Sequence, residues 1–287
     1  MRAALVQLNA SDDWRANLAE TERLVRQGAE EADLVLTPEV TNVVSSSRAH
    51  QESVLFSEAE DPTLARLREI ASETATWIAI GSLALKDATE DDTRFVNRGF
   101  LLTPSGEIAA RYDKIHMFDV DLERGERYRE SDAFRPGLRA PVVTTPLGRI
   151  GLSICYDLRF GALYRALAQA GAEILLVPAA FTVPTGRAHW QSLLRARAIE
   201  TGSFVLAAAQ WGSHAASDGR PRQTWGHSLA IGPWGEILGE GGVGIGVTVV
   251  ECNLEAVAKA RQAVPSLRHD RALEIESLDA TKGATDG

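Results

Sequence analysis

One ordered set of elements occurs twice along the chain, and that repetition narrows the possible folds more than any single motif. In the first pass, residues 3–9 (Ala-Ala-Leu-Val-Gln-Leu-Asn) read as a strand. Ser11-Asp-Asp13 offer capping chemistry for a helix through Leu18, Leu24 and Val25 to Gly28. Ala32–Pro38 is a buried strand stopped by proline, Asp61-Pro62 starts a second helix, and Trp77–Leu85 is a strand. Asn97–Tyr112 is a hairpin about Pro104-Ser-Gly106. The second pass repeats the order with Ile150–Ile154 as strand, 161–170 as helix and Ala172–Pro178 as a proline-stopped strand. Ala188–Thr201 is then a helix, Phe204–Ala209 a strand, and His227–Gly239 a hairpin about Pro233-Trp-Gly235. Leu163, Leu167 and Ala170 carry the helical spacing in the first of these helices. Such a chain predicts an α/β protein made of two similar halves, with mixed sheets packed face to face and helices outside. It is one pseudo-symmetric domain, not two independent ones.

After Asn253 a helix (Leu254, Val257, Ala258, Arg261) ends before Pro265, and residues 272–287 form a polar tail, expected to be mobile or draped over a partner subunit. The formal net charge is −9 with basic residues scattered among acids, which argues against nucleic acid as a partner. No apolar run approaches a membrane span, and Met1–Asn9 lacks the build of a signal peptide, so the cytoplasm is the expected location. Two cysteines, Cys155 and Cys252, make no disulfide framework.

Three chemically useful side chains follow predicted strands: Glu39, Lys114 and Cys155. Carboxyl ends of strands are where ligands gather in α/β folds. Cys155 sits at a strand-to-helix break, where amide dipoles are expected to favour the nucleophilic thiolate. Glu39 offers a proton acceptor, and Lys114 a cation for a developing oxyanion, with the backbone N–H of Tyr156 as a second donor. Against this, a lone cysteine is commonly a small buried hydrophobe, and a Glu or Lys past a strand end is commonly just solvated.

The sequence resembles the nitrilase superfamily of carbon–nitrogen hydrolases. The stretches that carry the likeness are Leu36-Thr-Pro-Glu39, Arg111-Tyr-Asp-Lys114-Ile-His-Met-Phe-Asp-Val120, Tyr128-Arg-Glu130-Ser131 and Gly151-Leu-Ser-Ile-Cys155-Tyr-Asp-Leu-Arg-Phe160. Pro178–Phe181, Thr185–Trp190, Leu194–Thr201 and Gly226-His-Ser228 with Pro233-Trp-Gly235 extend it, so that it runs from the first strand to about Arg271. The resemblance implies a four-layer αββα sandwich, dimers or larger assemblies, and a Glu39–Lys114–Cys155 triad. It also implies that Glu130 positions Lys114 and the substrate, and that neither metal nor organic cofactor takes part. Within the superfamily the likeness is to the Nit branch, which holds ω-amidase and deaminated glutathione amidase, and it tilts to the second. Two departures stand out: Gly161 where the family usually has proline, and Trp211 where a cysteine is expected.

His116 is as suited to a structural place as to substrate, and His189 more so. Arg159, four residues past Cys155, could read a substrate carboxylate or pair with Asp157 or near Glu39. Arg195 and Arg197 suit salt bridges or a dimer contact, and Trp190, Trp225 and Trp234 suit packing. Gly239–Gly244 matches a dinucleotide fingerprint only formally, because a strand (246–251) follows it. The six histidines show no metal-ligand spacing. The expected activity is a thiol amidase acting on a small carboxamide. The rivals are a nitrilase or N-carbamoyl hydrolase on the same triad, a non-catalytic binding protein, and a redox thiol protein using Cys155 and Cys252.

Overall fold

Two six-stranded mixed sheets repeat one strand order, as described by a computed structural model covering residues 1–89, 91–121, 127–218 and 221–278. In the first sheet the strands Arg2–Gln7, Leu34–Leu36 and Trp77–Lys86 run parallel, then Phe95–Leu102 and Ile108–Asp113 return antiparallel. In the second, Gly148–Leu152, Ile174–Leu176 and Phe204–Ala207 run parallel, then Leu229–Ile231 and Ile237–Glu240 return antiparallel. Each sheet gains one antiparallel edge strand beside its first: Gly246–Glu251 on Arg2–Gln7, and Val142–Thr145 on Gly148–Leu152. The repeat read from sequence is therefore a repeat of topology.

Alternation within the strands explains the layering. Ala3, Leu5, Leu34, Leu36, Ala79 and Leu101 join one core with Ile150, Leu152, Ile174 and Leu176 of the other sheet. Ala4, Val6, Val35, Ile78 and Ile80 point the other way, onto Leu24 and Val25 of helix Trp14–Ala29 and Leu64, Leu67 and Ile70 of helix Pro62–Thr74. On the far side, helices Gly161–Gln169 and Val183–Thr201 cover the second sheet through Leu167, Trp190, Leu194 and Ala198. The order is α-β-β-α. Asp13 caps the first helix by accepting from Arg15 N, and Asp61 caps the helix at Pro62 by accepting from Leu64 N.

The halves meet closely where both proline-stopped strands end. A Cβ on Gly81 would lie 2.1 Å from Thr37 O and 2.4 Å from Pro178 Cβ, so only glycine fits there. Helix Val183–Thr201 begins five residues before the expected Ala188, because Pro184 is tolerated in a first turn and Gly186 lets Trp225 pack against it. Helix Glu255–Ala263 ends before Pro265, as expected. Among the described residues no helix is long and apolar enough to cross a membrane. The tail expected over 272–287 is described only to residue 278, where Leu273, Ile275 and Leu278 are exposed; the rest lies outside the described residues.

Candidate active site

The strand ends bring Glu39, Lys114, Glu130 and Cys155 to one buried place. Lys114 follows strand Ile108–Asp113, and its Nζ donates to Glu39 Oε1 at 2.8 Å and to Glu130 Oε1 and Oε2 at 2.9 and 2.8 Å. The Lys114 and Glu39 side chains are 2% and 4% exposed, and Glu130 is 15% exposed. A buried ammonium shared by two carboxylates keeps its charge: burial opposes it, but Glu130 and Glu39 outweigh that and raise the Lys114 pKa.

Cys155 opens a 3₁₀ turn, Cys155–Arg159, directly after the second sheet's first strand. Its φ is +50°, a left-handed conformation that costs a non-glycine residue on the order of 1–3 kcal/mol. Two hydrogen bonds from backbone N–H groups hold it: Cys155 N donates to Pro178 O at 2.8 Å, and Ile154 N donates to the side-chain Asp157 Oδ2 at 2.9 Å. Val40, next to Glu39, is also left-handed (φ +48°) and is held by Ser82 Oγ, which accepts from Val40 N at 2.8 Å. Cys155 and Glu39 thus both stand at or beside strained backbone.

The Cys155 thiol is buried in the field of the Glu39 carboxylate and the Lys114 ammonium. Burial and the Glu39 charge push the thiol pKa well above its ordinary value, against the opposing pull of Lys114. This corrects the expectation of a resting thiolate: amide dipoles do not offset desolvation and an adjacent anion. Burial also works to raise Glu39, yet the charges of Lys114 and Arg222 and the hydrogen bond from Lys114 hold it below the usual carboxylate value. The resting pair is a neutral thiol beside a carboxylate, an arrangement that suits general-base removal of the thiol proton.

Several further groups support these carboxylates. Asn97 Nδ2 donates to Glu39 Oε1 at 2.9 Å and to Glu130 Oε1 at 3.3 Å, bridging the two carboxylates. Ala180 N donates to Glu39 Oε2 at 2.9 Å, and Gln210 Nε2 donates to Glu39 O at 3.0 Å. Phe118 N donates to Glu130 Oε2 at 2.7 Å. An asparagine on the buried face of strand Phe95–Leu102 was the one available hint.

His116 does not stand free. Its Nδ1 lies 2.6 Å from Asp157 Oδ1, and its ring stacks on Phe160 at 3.5 Å. It braces the turn that starts at Cys155. Tyr156 packs edge-on against Phe118 and Phe160. Arg159 pairs with neither Asp157 nor Glu39; its guanidinium lies over the Tyr156 and Phe181 rings and contacts His189 Nδ1 at 3.3 Å. Arg197 is buried behind the same turn and donates to Leu158 O at 2.9 Å, while pairing with Glu200. A Cβ on Gly161 would lie 3.1 Å from the Arg197 guanidinium, and helix Gly161–Gln169 still forms. Trp190 is buried, but Trp234, expected to pack, is 64% exposed at its turn tip. Trp211 lies on a small hairpin with Gln223–Trp225 and packs over Gly226. Cys252 is buried beside Met1, its N–H donating to Met1 O, and both cysteines are free.

The carbon-nitrogen hydrolase family matches residues 2–262. The chain belongs to this family. As a carbon–nitrogen hydrolase it is an enzyme acting on carbon–nitrogen bonds other than peptide bonds. It is 42% identical to the deaminated glutathione amidase of Yersinia enterocolitica over 93% of this chain and 92% of that protein. The C. elegans NitFhit protein superposes with a TM-score of 0.85 at 32% identity; 94% of this hydrolase is covered, and it spans 65% of that longer chain. A mutant amidase from Nesterenkonia sp. AN1, with acrylamide added at its active site cysteine, superposes with a TM-score of 0.75 at 29% identity, covering 92% of this chain and 98% of that one.

Proposed function

We propose that this hydrolase is a thiol amidase converting a small linear carboxamide to a carboxylate and ammonia through a Cys155 thioester, with deaminated glutathione as the preferred substrate type. The observation that carries the reading is the burial of Cys155 together with a Glu39 carboxylate that shares the Lys114 ammonium with Glu130.

In this reading Glu39 takes the thiol proton while Sγ attacks the amide carbon. Lys114 and the Tyr156 N–H hold the oxyanion, and Glu130 keeps Lys114 in place. Glu39 returns the proton to the departing nitrogen, the carbon–nitrogen bond breaks, and ammonia leaves a thioester. Water then attacks with Glu39 accepting its proton; the carbon–sulfur bond breaks, the acid leaves and the thiol is restored. Arg159, whose charge meets rings and a histidine, is suited to a substrate carboxylate. The catalytic domain would extend to about residue 271 with 272–287 as a tail. The enzyme would act in the cytoplasm as a homodimer or larger assembly; exposed Ile199, Trp234 and Ile237 offer an apolar contact surface.

The test is ammonia release from deaminated glutathione, α-ketoglutaramate, a nitrile and an N-carbamoyl amino acid, with mass spectrometry for the acyl-enzyme. Fastest release from deaminated glutathione with an adduct on Cys155 is the expected result. Preference for α-ketoglutaramate would make it an ω-amidase, and absence of any adduct or ammonia would sink the amidase reading.

A further inference from the structure

The Lys114 ammonium has three hydrogens, and carboxylate oxygens hold all of them: Glu39 Oε1 at 2.8 Å, Glu130 Oε1 at 2.9 Å and Glu130 Oε2 at 2.8 Å. Reaching an oxyanion means releasing one of these bonds, and a buried carboxylate oxygen stripped of its donor opposes that. Asn97, 2% exposed on strand Phe95–Leu102, touches every member of the group. Its Nδ2 donates to Glu39 Oε1 at 2.9 Å and to Glu130 Oε1 at 3.3 Å, and its backbone O accepts from Lys114 N at 3.0 Å. Its own Oδ1 is buried with no hydrogen-bond partner among the described residues. An orphaned acceptor is a cost to the core, borne here by a side chain whose two amide hydrogens face the two carboxylates.

A carboxylate offers about four lone-pair sites, and counting them separates the two glutamates. Glu130 receives Lys114 and Asn97 on Oε1, and Lys114 and Phe118 N on Oε2. Glu39 receives Lys114 and Asn97 on Oε1 but, among the described residues, Ala180 N alone on Oε2. The open site of the pair is therefore on Glu39 Oε2. When Lys114 lets go of Glu130 Oε1, Asn97 still donates to that oxygen. Resting on the amidase reading, we infer that Asn97 is a positioning residue of the reaction: by holding Oε1 of both glutamates it directs the thiol proton to Glu39 Oε2 and frees one Lys114 N–H for the oxyanion. The proton moves from Sγ to Oε2 as the sulfur–carbon bond forms, then to the departing nitrogen, and Asn97 exchanges none. A carboxamide suits the place because it neither titrates nor adds charge to two carboxylates sharing one ammonium.

The test follows ammonia release from deaminated glutathione and α-ketoglutaramate across pH in wild type, Asn97→Leu, Asn97→Asp and Asn97→Gln. N97L keeps the size of the side chain and loses both donors, so kcat is expected to fall about 10–100-fold with KM within about threefold. The acid limb of kcat/KM is expected to move to higher pH, because Glu39 loses a donor to its charged form, and to move further in N97D. N97Q, which keeps the amide on a longer arm, is expected to recover part of the lost kcat. The rate at which iodoacetamide alkylates Cys155, located by mass spectrometry, reads the thiol without turnover, and its acid limb is expected to move in the same direction. A loss confined to KM, a loss matched by the unfolded fraction, or acid limbs that stay in place would make Asn97 merely structural and overturn the proposal. So would N97Q as slow as N97L. Should wild type release ammonia from no amide, the amidase reading fails on its own, and the alkylation profiles still decide Asn97. Should N97L not fold, N97D decides through the same two profiles.

Discussion

Tyr112 and Asp157 tie the strand that leads into Lys114 to the turn that begins at Cys155. The Tyr112 phenol donates to Asp157 Oδ2 at 2.6 Å in a buried contact between the two halves of the chain. The same carboxylate accepts from Ile154 N, His116 N and His116 Nδ1, so it fixes the position of Cys155 relative to Lys114.

Tyr112→Phe leaves the Asp157 carboxylate one donor short. The expected cost is about 1–2 kcal/mol of unfolding free energy, measured by denaturant titration. Turnover is expected to drop about tenfold, because the cysteine turn loses its register against Lys114. Unchanged stability would show that the remaining donors suffice.

Cys155→Ala should remove ammonia release altogether, since without the thiol no thioester forms. Cys252→Ser, buried at the Met1 end of the first sheet, should keep turnover within about twofold. A silent Cys155 variant or a dead Cys252 variant, in the same ammonia assay, would favour the redox reading.

Glu130 makes two of the three hydrogen bonds on the Lys114 ammonium and is the largest charge stabilising it. Glu130→Gln is expected to lower kcat on the order of a hundredfold with a smaller change in KM, as for loss of an oxyanion donor's support. Steady-state kinetics on the preferred amide reads this directly. A change confined to KM would place Glu130 in binding alone.

Two buried groups give stability opposite slopes against acid. His214, held neutral by burial with its pKa lowered to about 4, stabilises the fold fully above its unfolded value near 6.5 and loses that as pH falls toward 4. Asp61, raised to about 6 by burial, contributes fully below its unfolded value of 3.8 and loses that as pH rises through 6. Each spans about 3 kcal/mol, so they largely cancel in the wild type. His214→Gln should therefore grow less stable from pH 4 to 6, and Asp61→Asn, which keeps the helix cap, should grow more stable. Denaturant midpoints across that range decide it; parallel slopes in the two variants would contradict the assignment.

What the sequence by itself determined is local and repeated. Proline ended the strands at Pro38 and Pro178, glycine turned the hairpins at Gly106 and Gly235, and alternating apolar residues chose the sheet faces, all through short-range sterics and burial. Glu39, Lys114 and Cys155 were legible because each follows a predicted strand, and Glu130 through the family resemblance of its stretch. Tertiary structure alone decided what surrounds them. Asn97 joins Glu39 across 58 positions, Ala180 across 141, and Gln210 across 171, distances in sequence over which no periodicity or spacing carries information. The protonation of Cys155 belongs to the same class: a thiol's charge is set by the dielectric and charges packed around it, and those arrive only when the two sheets close on each other.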